Sequence, residues 1–168
     1  SGGFVVVNLP NVPTAYDLTG KTGAKCSGEQ LTMQNVRFMV SSDVVFFVKN
    51  FQAYNPIEII SRDGNPHNVW FIVPHDGHPS MPPSYSHSGG AIGFHSANNK
   101  IQSPISIFLY SPGTIDFYNS TYTNGQIYAN KVNVHPTSEF RYTSQGIPGV
   151  DLSTTHAVGS EVTIEYKR

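Results

Sequence analysis

The chain has 168 residues, with ten basic and eleven acidic side chains and a formal net charge of -1. This length fits a single domain, 1–168, which can bury an apolar core without staples, and the single Cys26 excludes an intramolecular disulfide. No basic stripe is present, so we predict neither a nucleic-acid partner nor contact with an anionic membrane surface.

The composition favours β-structure and an extracellular location. Charged residues make up only 12% of the chain, about half the usual share in a soluble domain. The polar surface must therefore consist mainly of Ser, Thr, Asn, Gln and Tyr, whereas exposed helix faces are usually rich in Glu and Lys. Ten Phe and nine Tyr point in the same direction, because aromatic residues are enriched in strands.

Strand patterns follow one another along the chain, and the one short helix candidate is Gly28–Val36. The predicted strands are Phe4–Leu9, Val36–Val40, Val44–Val48, Ile57–Ile60, Val69–Val73, Ile105–Tyr110, Thr114–Tyr118, Ile127–Ala129, Lys131–Val134, Glu139–Tyr142 and Val162–Tyr166. The runs VVFFV at 44–48 and VWFIV at 69–73 are apolar throughout, which predicts burial on both faces.

Turn residues separate these strands. Ser111-Pro112-Gly113 predicts a turn between two strands, and Asn124-Gly125 fits either a type I′ hairpin turn or the corner of a solenoid. Short strands joined by Asn, Gly and Ser at loosely regular spacing favour an all-β fold, a short irregular parallel β-solenoid. A β-sandwich is the alternative, because it also consists of many short strands with frequent turns.

The segment 74–100 is rich in Pro, Ser, Gly, Asn and His, and we predict that it forms a long loop. Loops of this length are often functional. His75 and His78 are three residues apart and could converge on a divalent metal, with Asp76 or His87 completing a tetrahedral site. Solvated loop histidines are the simpler interpretation, so we predict no cofactor.

Carbohydrate binding is one functional hypothesis for this chain, and it ranks second to a structural, adhesive role. Tyr85 and Tyr122 lie in loop-like sequence, and Asn98 and Asn99 provide planar carboxamides near the same loop. An aromatic face beside planar polar groups matches a pyranose ring, which has an apolar face and a rim of hydroxyl groups. A lectin-like module of this kind would bind host or environmental glycans.

Catalysis ranks below carbohydrate binding. Asp43, Glu58, Asp63, Asp76 and Asp116 provide carboxylates, and the loop provides serines and histidines, so a Ser/His/Asp arrangement can be assembled from residue types alone. The G-x-S-x-G nucleophile elbow, which would make such an arrangement specific, is absent from the sequence. We therefore predict that the protein is not an enzyme.

The C-terminal third contains the stretch SPGTIDFYNSTYTNGQIYANKVNVHPTSEFRY, and over 105–142 it resembles a recurrent tail of bacterial surface domains. These are the PilX-like, type IV pilus-associated proteins and the choice-of-anchor A domains. Thr114–Tyr118 matches their apolar strand, Gly125–Asn130 their G-x-I-Y-A coil, and Phe140-Arg141-Tyr142 their aromatic end.

This resemblance implies a non-catalytic, extracellular structural or adhesive domain of a bacterial minor pilin-like or surface protein. Its partners would be other pilus or surface subunits. In such a domain Ile127, Val132, Val134 and Phe140 would fill a solenoid core, and Gly125 would form the tight corner before them.

Overall fold

A computed structural model describes residues 3–19, 31–74 and 90–146. Within these ranges the protein contains strands and no helix, which confirms the all-β prediction, and accordingly no helix there could span a bilayer. The strands are β1 (Val5–Asn8), β2 (Thr14–Asp17), β3 (Leu31–Met33), β4 (Val36–Val40), β5 (Val44–Phe47), β6 (Phe51–Ala53), β7 (Ile57–Ser61), β8 (His67–Ile72), β9 (Ile92–Phe94), β10 (Lys100–Ile101), β11 (Ile105–Phe117), β12 (Tyr122–Val134) and β13 (Glu139–Tyr142).

The strands pair in parallel throughout the described residues. From β1 to β8, each strand pairs with the strand three places later in the chain, as β4 does with β7, β5 with β8 and β6 with β9. The product is one curled sheet of 13 strands. A β-sandwich consists of antiparallel strands, so this pairing does not support that alternative.

The two longest strands, β11 and β12, each pair with more than one neighbouring strand along their length. β11 pairs with β8 along 105–110 and with β9 along 115–117, and its register with β12 shifts between Ser111 and Thr114. The predicted turn at 111–113 is therefore an irregularity inside one strand. β12 likewise runs through Asn124-Gly125, where Gly125 stays in parallel register with Ile107, so a hairpin turn at this point is wrong.

The short helix candidate contributes to two strands where the structure describes it. Leu31–Met33 is β3, and Val36 begins β4 after a turn at Asn35, whose φ is +52°. Residues 28–30 and the predicted strand Val162–Tyr166 lie outside the described residues. Strand pairing with β6 outweighs the weak helical pattern of this segment, because the three residues of β3 gain more from pairing with an existing sheet than from an isolated helical turn.

The side chains of β5 alternate between two environments. Val44 and Phe46 are buried, whereas Val45 and Phe47 are only half-buried on the outer face. The prediction that VVFFV is buried on both faces is therefore wrong for this strand. One face of β5 packs into the core, and the other faces outward.

β8 does have both faces covered, as VWFIV predicted for its central residues. Val69, Trp70 and Phe71 are all buried. The segment after β13 lies across the outer face, where the Trp70 indole Nε1 donates to the Gly146 carbonyl oxygen at 3.0 Å. The same segment is fixed by Gln145, whose Nε2 donates to Asn68 Oδ1 at 3.1 Å.

An aromatic spine runs through the core, and each successive pair of its rings is in contact. Its members are Tyr16, Phe46, Phe71, Phe51, Phe94, Phe117 and Phe140, with ring centroids between 4.8 and 5.9 Å apart. Buried aromatic pairs at this separation stabilise a core beyond their area of burial. The spine therefore connects strands from β2 to β13.

The four predicted core residues of the C-terminal third divide into two pairs. Ile127 and Phe140 are partly buried and pack against the core. Val132 and Val134 are 40% and 48% exposed, so the prediction that they fill the core is wrong. Both pair with β11 on one side, and no described strand covers their other side.

Candidate functional site

The predicted metal ligands and one predicted ligand-binding tyrosine lie outside the described residues. These are His75, Asp76, His78, His87 and Tyr85. In the part of the chain that the structure describes, no group of three or more His, Cys, Asp or Glu side chains is arranged to hold a metal ion. A divalent metal at these histidines therefore stays a prediction. The prediction of one loop over 74–100 is wrong in its described C-terminal part, because Ile92–Phe94 forms β9 and Lys100 begins β10.

Asn99 and Tyr122, two of the predicted ligand-binding residues, line the same cleft of about 280 Å³. Asn99 is 6% exposed, and its carboxamide bonds backbone groups: Oδ1 accepts from Ile57 N at 3.1 Å, and Nδ2 donates to Ser96 O at 2.8 Å. Asn98 is exposed, and its backbone N–H donates to Ser96 Oγ. Asn99 thus anchors its turn and has little capacity left for a ligand.

Tyr122 is 41% exposed, and a cation covers part of its ring. The guanidinium carbon of Arg141 lies 5.3 Å from the ring centroid. Arg141 Nε also donates to Glu139 Oε1 at 2.9 Å, and this hydrogen bond raises the pKa of Arg141 above its usual value. Arg141 on β13 therefore places its charge over the Tyr122 ring of β12.

Tyr122 ends a column of charged residues on the outer face. In the register, Arg37 lies beside Glu58 and Glu58 beside Lys100, which pairs with Tyr122. Glu58 is buried but ion-paired on both sides, 2.5 Å from Arg37 Nε and 3.9 Å from Lys100 Nζ. Since a buried carboxylate is tolerated only with such partners, Glu58 has a structural role.

A second cavity, of about 370 Å³, lies between β12 and β13. Ile107, Ile127 and Phe140 provide its apolar lining, and Tyr128, Arg141 and Tyr142 stand around it. Tyr128 is 52% exposed and Tyr142 76% exposed. An apolar cavity with a few polar groups is typical of a small-ligand site, and this volume is at the lower end of the range of about 300–1,000 Å³.

Hydrogen bonds fix the polar groups of this cavity. The backbone N–H of Gln145 can only donate, and it bonds Gln126 Oε1 at 2.8 Å. Gln126 Nε2 is therefore the donor end, and it bonds the hydroxyl oxygens of Tyr128 at 3.2 Å and Tyr142 at 3.4 Å. Each phenol oxygen accepts a hydrogen bond, so each O–H proton is left to donate outward.

A third feature, the aromatic column, consists of Tyr54, His95 and Tyr118 on the outer face. The His95 ring is stacked between the two tyrosines, with centroids 4.3 Å from Tyr54 and 4.1 Å from Tyr118. Burial raises the pKa of Tyr118, and the nearby Asp116 carboxylate adds to this effect. Because the rings cover one another's faces, the column offers few free faces for a sugar ring to stack on.

His95 is held in the column by a carboxamide. Its Nε2 lies 2.7 Å from Gln52 Oε1, and Gln52 Nε2 donates to Asn50 Oδ1 at 3.0 Å. Gln52 crosses Gly93 to reach His95, and a Cβ on Gly93 would lie 2.1 Å from Gln52 Oε1. Gly93 therefore creates the space for this contact, which places the proton of neutral His95 on Nε2.

We expect His95 to make the stability of the protein pH-dependent. Burial lowers its pKa below the usual 6.5, against a smaller opposite effect of Asp116. Above the pKa of the unfolded chain, the His95 imidazole is neutral in both the folded and the unfolded protein. As the pH falls, the unfolded protein binds a proton at this imidazole before the folded protein does. The free energy of unfolding should therefore decrease as the pH falls through about 6.5, until His95 itself is protonated in the folded state.

Urea unfolding of the wild type and of His95→Gln between pH 8 and pH 5 tests this expectation. The variant keeps a polar side chain and removes the titration, so the other histidines cancel in the difference. The free energy of unfolding of the wild type minus that of the variant should decrease as the pH is lowered from 8 to 5. A difference that increases towards pH 5 would mean that Asp116 and the tyrosine faces stabilise the imidazolium, contrary to the expectation.

The carboxylates considered for catalysis have structural partners where they are described. Asp43 accepts a hydrogen bond from Asn68 N at 2.8 Å, and Asn133 Nδ2 donates to Asp116 at 2.5 Å. The pKa of Asp63 is well below its usual value, because its carboxylate accepts hydrogen bonds from the backbone N–H of Asn65 and from the His67 ring. These contacts hold turns and neighbouring strands.

Sequence reasoning missed Gln126 and Tyr142, two of the polar residues of the 370 Å³ cavity. Tyr142 comes next to Gly125 only through the pairing of β13 with β12, and Gln126 comes next to Tyr142 through the same pairing. A constant number of residues between paired strands would have been the signal for this pairing. The number of residues between paired strands varies along the sequence, so the signal is weak. Of the described residues predicted above to bind a sugar, Tyr122 contacts Arg141, which lines this cavity.

Comparisons of the chain with protein-family models, with curated proteins and with solved structures found no match. The functional argument therefore depends on the residues and geometry described above.

Proposed function

We propose that the curled parallel sheet is a short β-solenoid, in which three strands form each coil. Two observations support this architecture. Strands three places apart pair in parallel from β1 to β8, and one aromatic spine connects residues of successive coils. Stacked coils of this kind make a rigid scaffold, because each coil buries its inner face against its neighbours.

We further propose that the protein is a non-catalytic structural or adhesive domain at the bacterial cell surface, associated with a pilus or another surface assembly. The parallel stacking of β1 to β13 is the observation that carries this proposal, since it produces outer faces and strand edges that subunits could contact. The resemblance over 105–142 supports it independently. Few charges and many polar uncharged residues also suit an extracellular surface.

Cell fractionation tests this proposal. An antibody against the domain should label intact source cells, and protease added outside them should remove the label. If the domain belongs to a pilus, it should also occur in the sheared pilus fraction. Detection only after lysis would contradict the surface location, and a label confined to the cell body would contradict the pilus association.

Carbohydrate binding is the second candidate function, and the arrangement of Tyr128, Tyr142 and Arg141 around the 370 Å³ cavity favours it. Aromatic residues and arginine are enriched at recognition surfaces, since one side chain offers both an apolar face and a polar group. A glycan array probed with the complete 168-residue chain tests this candidate. Binding to a defined glycan class would support it, and binding to none would reject it.

A further inference from the structure

We propose that the cavity between β12 and β13 binds an N-acetylhexosamine through its acetamido group. This inference rests on the carbohydrate-binding candidate and deepens it, because it names the sugar class and the residues that distinguish it. It follows from three properties of the cavity: donor groups around its opening, an apolar lining, and an arginine whose charge is already compensated.

The polar groups at the opening act mainly as donors. Gln126 Nε2 donates to both phenol oxygens, so Tyr128 and Tyr142 present their O–H protons. Arg141 carries N–H donors and no acceptor. A ligand for this opening must offer acceptors, and the carbonyl oxygen of an acetamido group is a stronger acceptor than a sugar hydroxyl group.

The apolar lining suits the methyl group of the same substituent. Ile127 and Phe140 line the cavity and are only partly buried, so part of each apolar side chain remains accessible to a ligand. A sugar that carries only hydroxyl groups would lose hydrogen bonds to water over this lining without replacing them. An acetyl methyl group gains from burial there, while its carbonyl oxygen remains at the ring of donors.

The charge of Arg141 argues against an acidic sugar. Its Nε donates to Glu139 Oε1 at 2.9 Å, and its guanidinium lies over the Tyr122 ring. A hexuronate carboxylate would approach Glu139 as well as Arg141, so attraction and repulsion would largely cancel. A neutral N-acetylated sugar avoids this repulsion.

Saturation-transfer NMR with the complete chain provides the test. The probes are the methyl β-glycosides of N-acetylglucosamine, glucose and glucuronic acid. We expect the N-acetylglucosaminide to bind most tightly, with the acetyl methyl protons receiving the largest saturation. Tyr142→Phe keeps the ring and removes one donor, so it should weaken binding by about threefold to tenfold.

Tyr118→Phe is the matched control, because Tyr118 is 53% exposed and does not line the cavity. Its affinity should equal that of the wild type. Equal loss in both variants, or no loss in Tyr142→Phe, would overturn this location of the site. Equal binding of the glucoside or tighter binding of the glucuronide would overturn the acetamido preference while leaving the carbohydrate-binding candidate intact. If neither these probes nor any glycan on the array bound, both would be rejected.

Discussion

Phe46→Ala should destabilise the protein by about 3–5 kcal/mol, whereas Phe47→Ala should cost less than half as much. Phe46 is 4% exposed and contacts three other rings: Tyr16 at 5.5 Å, Phe38 at 5.5 Å and Phe71 at 5.1 Å between centroids. Removing it leaves a cavity in the aromatic spine. Phe47 is the next residue of the same strand but points outward and is only half-buried.

The two variants form a matched pair, since they make the same chemical change at adjacent positions of β5. Urea unfolding followed by circular dichroism gives the free energy of unfolding of each. The expected loss for Phe46→Ala is a large part of the stability of a typical domain, which is about 5–15 kcal/mol. Equal losses in the two variants would show that the outer face of β5 is covered as well, contrary to the alternation described here.

The sequence alone did not predict that the outer face of β5 is half-buried while that of β8 is covered. VVFFV and VWFIV have the same apolar pattern, and both predicted strands buried on two faces. Their environments differ because the segment around Gly146 crosses β8 and covers Trp70. A segment that packs across strands from far along the chain leaves no periodic signal, so the local pattern predicts the strand correctly and the burial of its outer face incorrectly.

The all-β class and most strand positions could be predicted for a simple reason. β-Branched and aromatic runs such as those at 36–40 and 105–110 have no competing helical pattern. The parallel pairing was predicted only as one of two alternatives, because short strands with frequent turns occur in both architectures. Pairing partners also lie at unequal distances along the chain: Val5 pairs with Val36, but Val36 pairs with Ile57.

The candidate site was predictable only in part, because it depends on which strands pair and their spacing along the chain is unequal. Tyr122 was chosen as an exposed tyrosine in loop-like sequence, and it is exposed, although it begins a strand. Tyr142 and Gln126 become neighbours only when β13 takes its place beside β12. Each strand can be predicted from its own residues, whereas the cavity depends on which strands pair. Because paired strands are unequally spaced along the chain, the cavity could not be predicted.

Gly125→Ala should have the other large effect on stability, a loss of about 3 kcal/mol or more. Gly125 has a φ of +140° inside β12, which L-residues rarely adopt, and a Cβ at this position would lie 1.8 Å from the Ile107 carbonyl oxygen. Ile107 is a completely buried strand residue and cannot move away without disturbing the register of β11 and β12. The substitution combines backbone strain with a backbone clash.

Gly64→Ala is the control for Gly125→Ala, because Gly64 also has a positive φ, +77°, but a Cβ added there would meet no atom within 4 Å. It should cost only about 1 kcal/mol, from the backbone conformation alone. Urea unfolding measures both variants, and hydrogen exchange of β11 and β12 shows where Gly125→Ala acts. Since Gly125 also lines the 370 Å³ cavity, the same variant should lose saccharide binding. Equal losses of stability for the two variants would mean that β11 and β12 are not packed as closely as the contact at Ile107 requires.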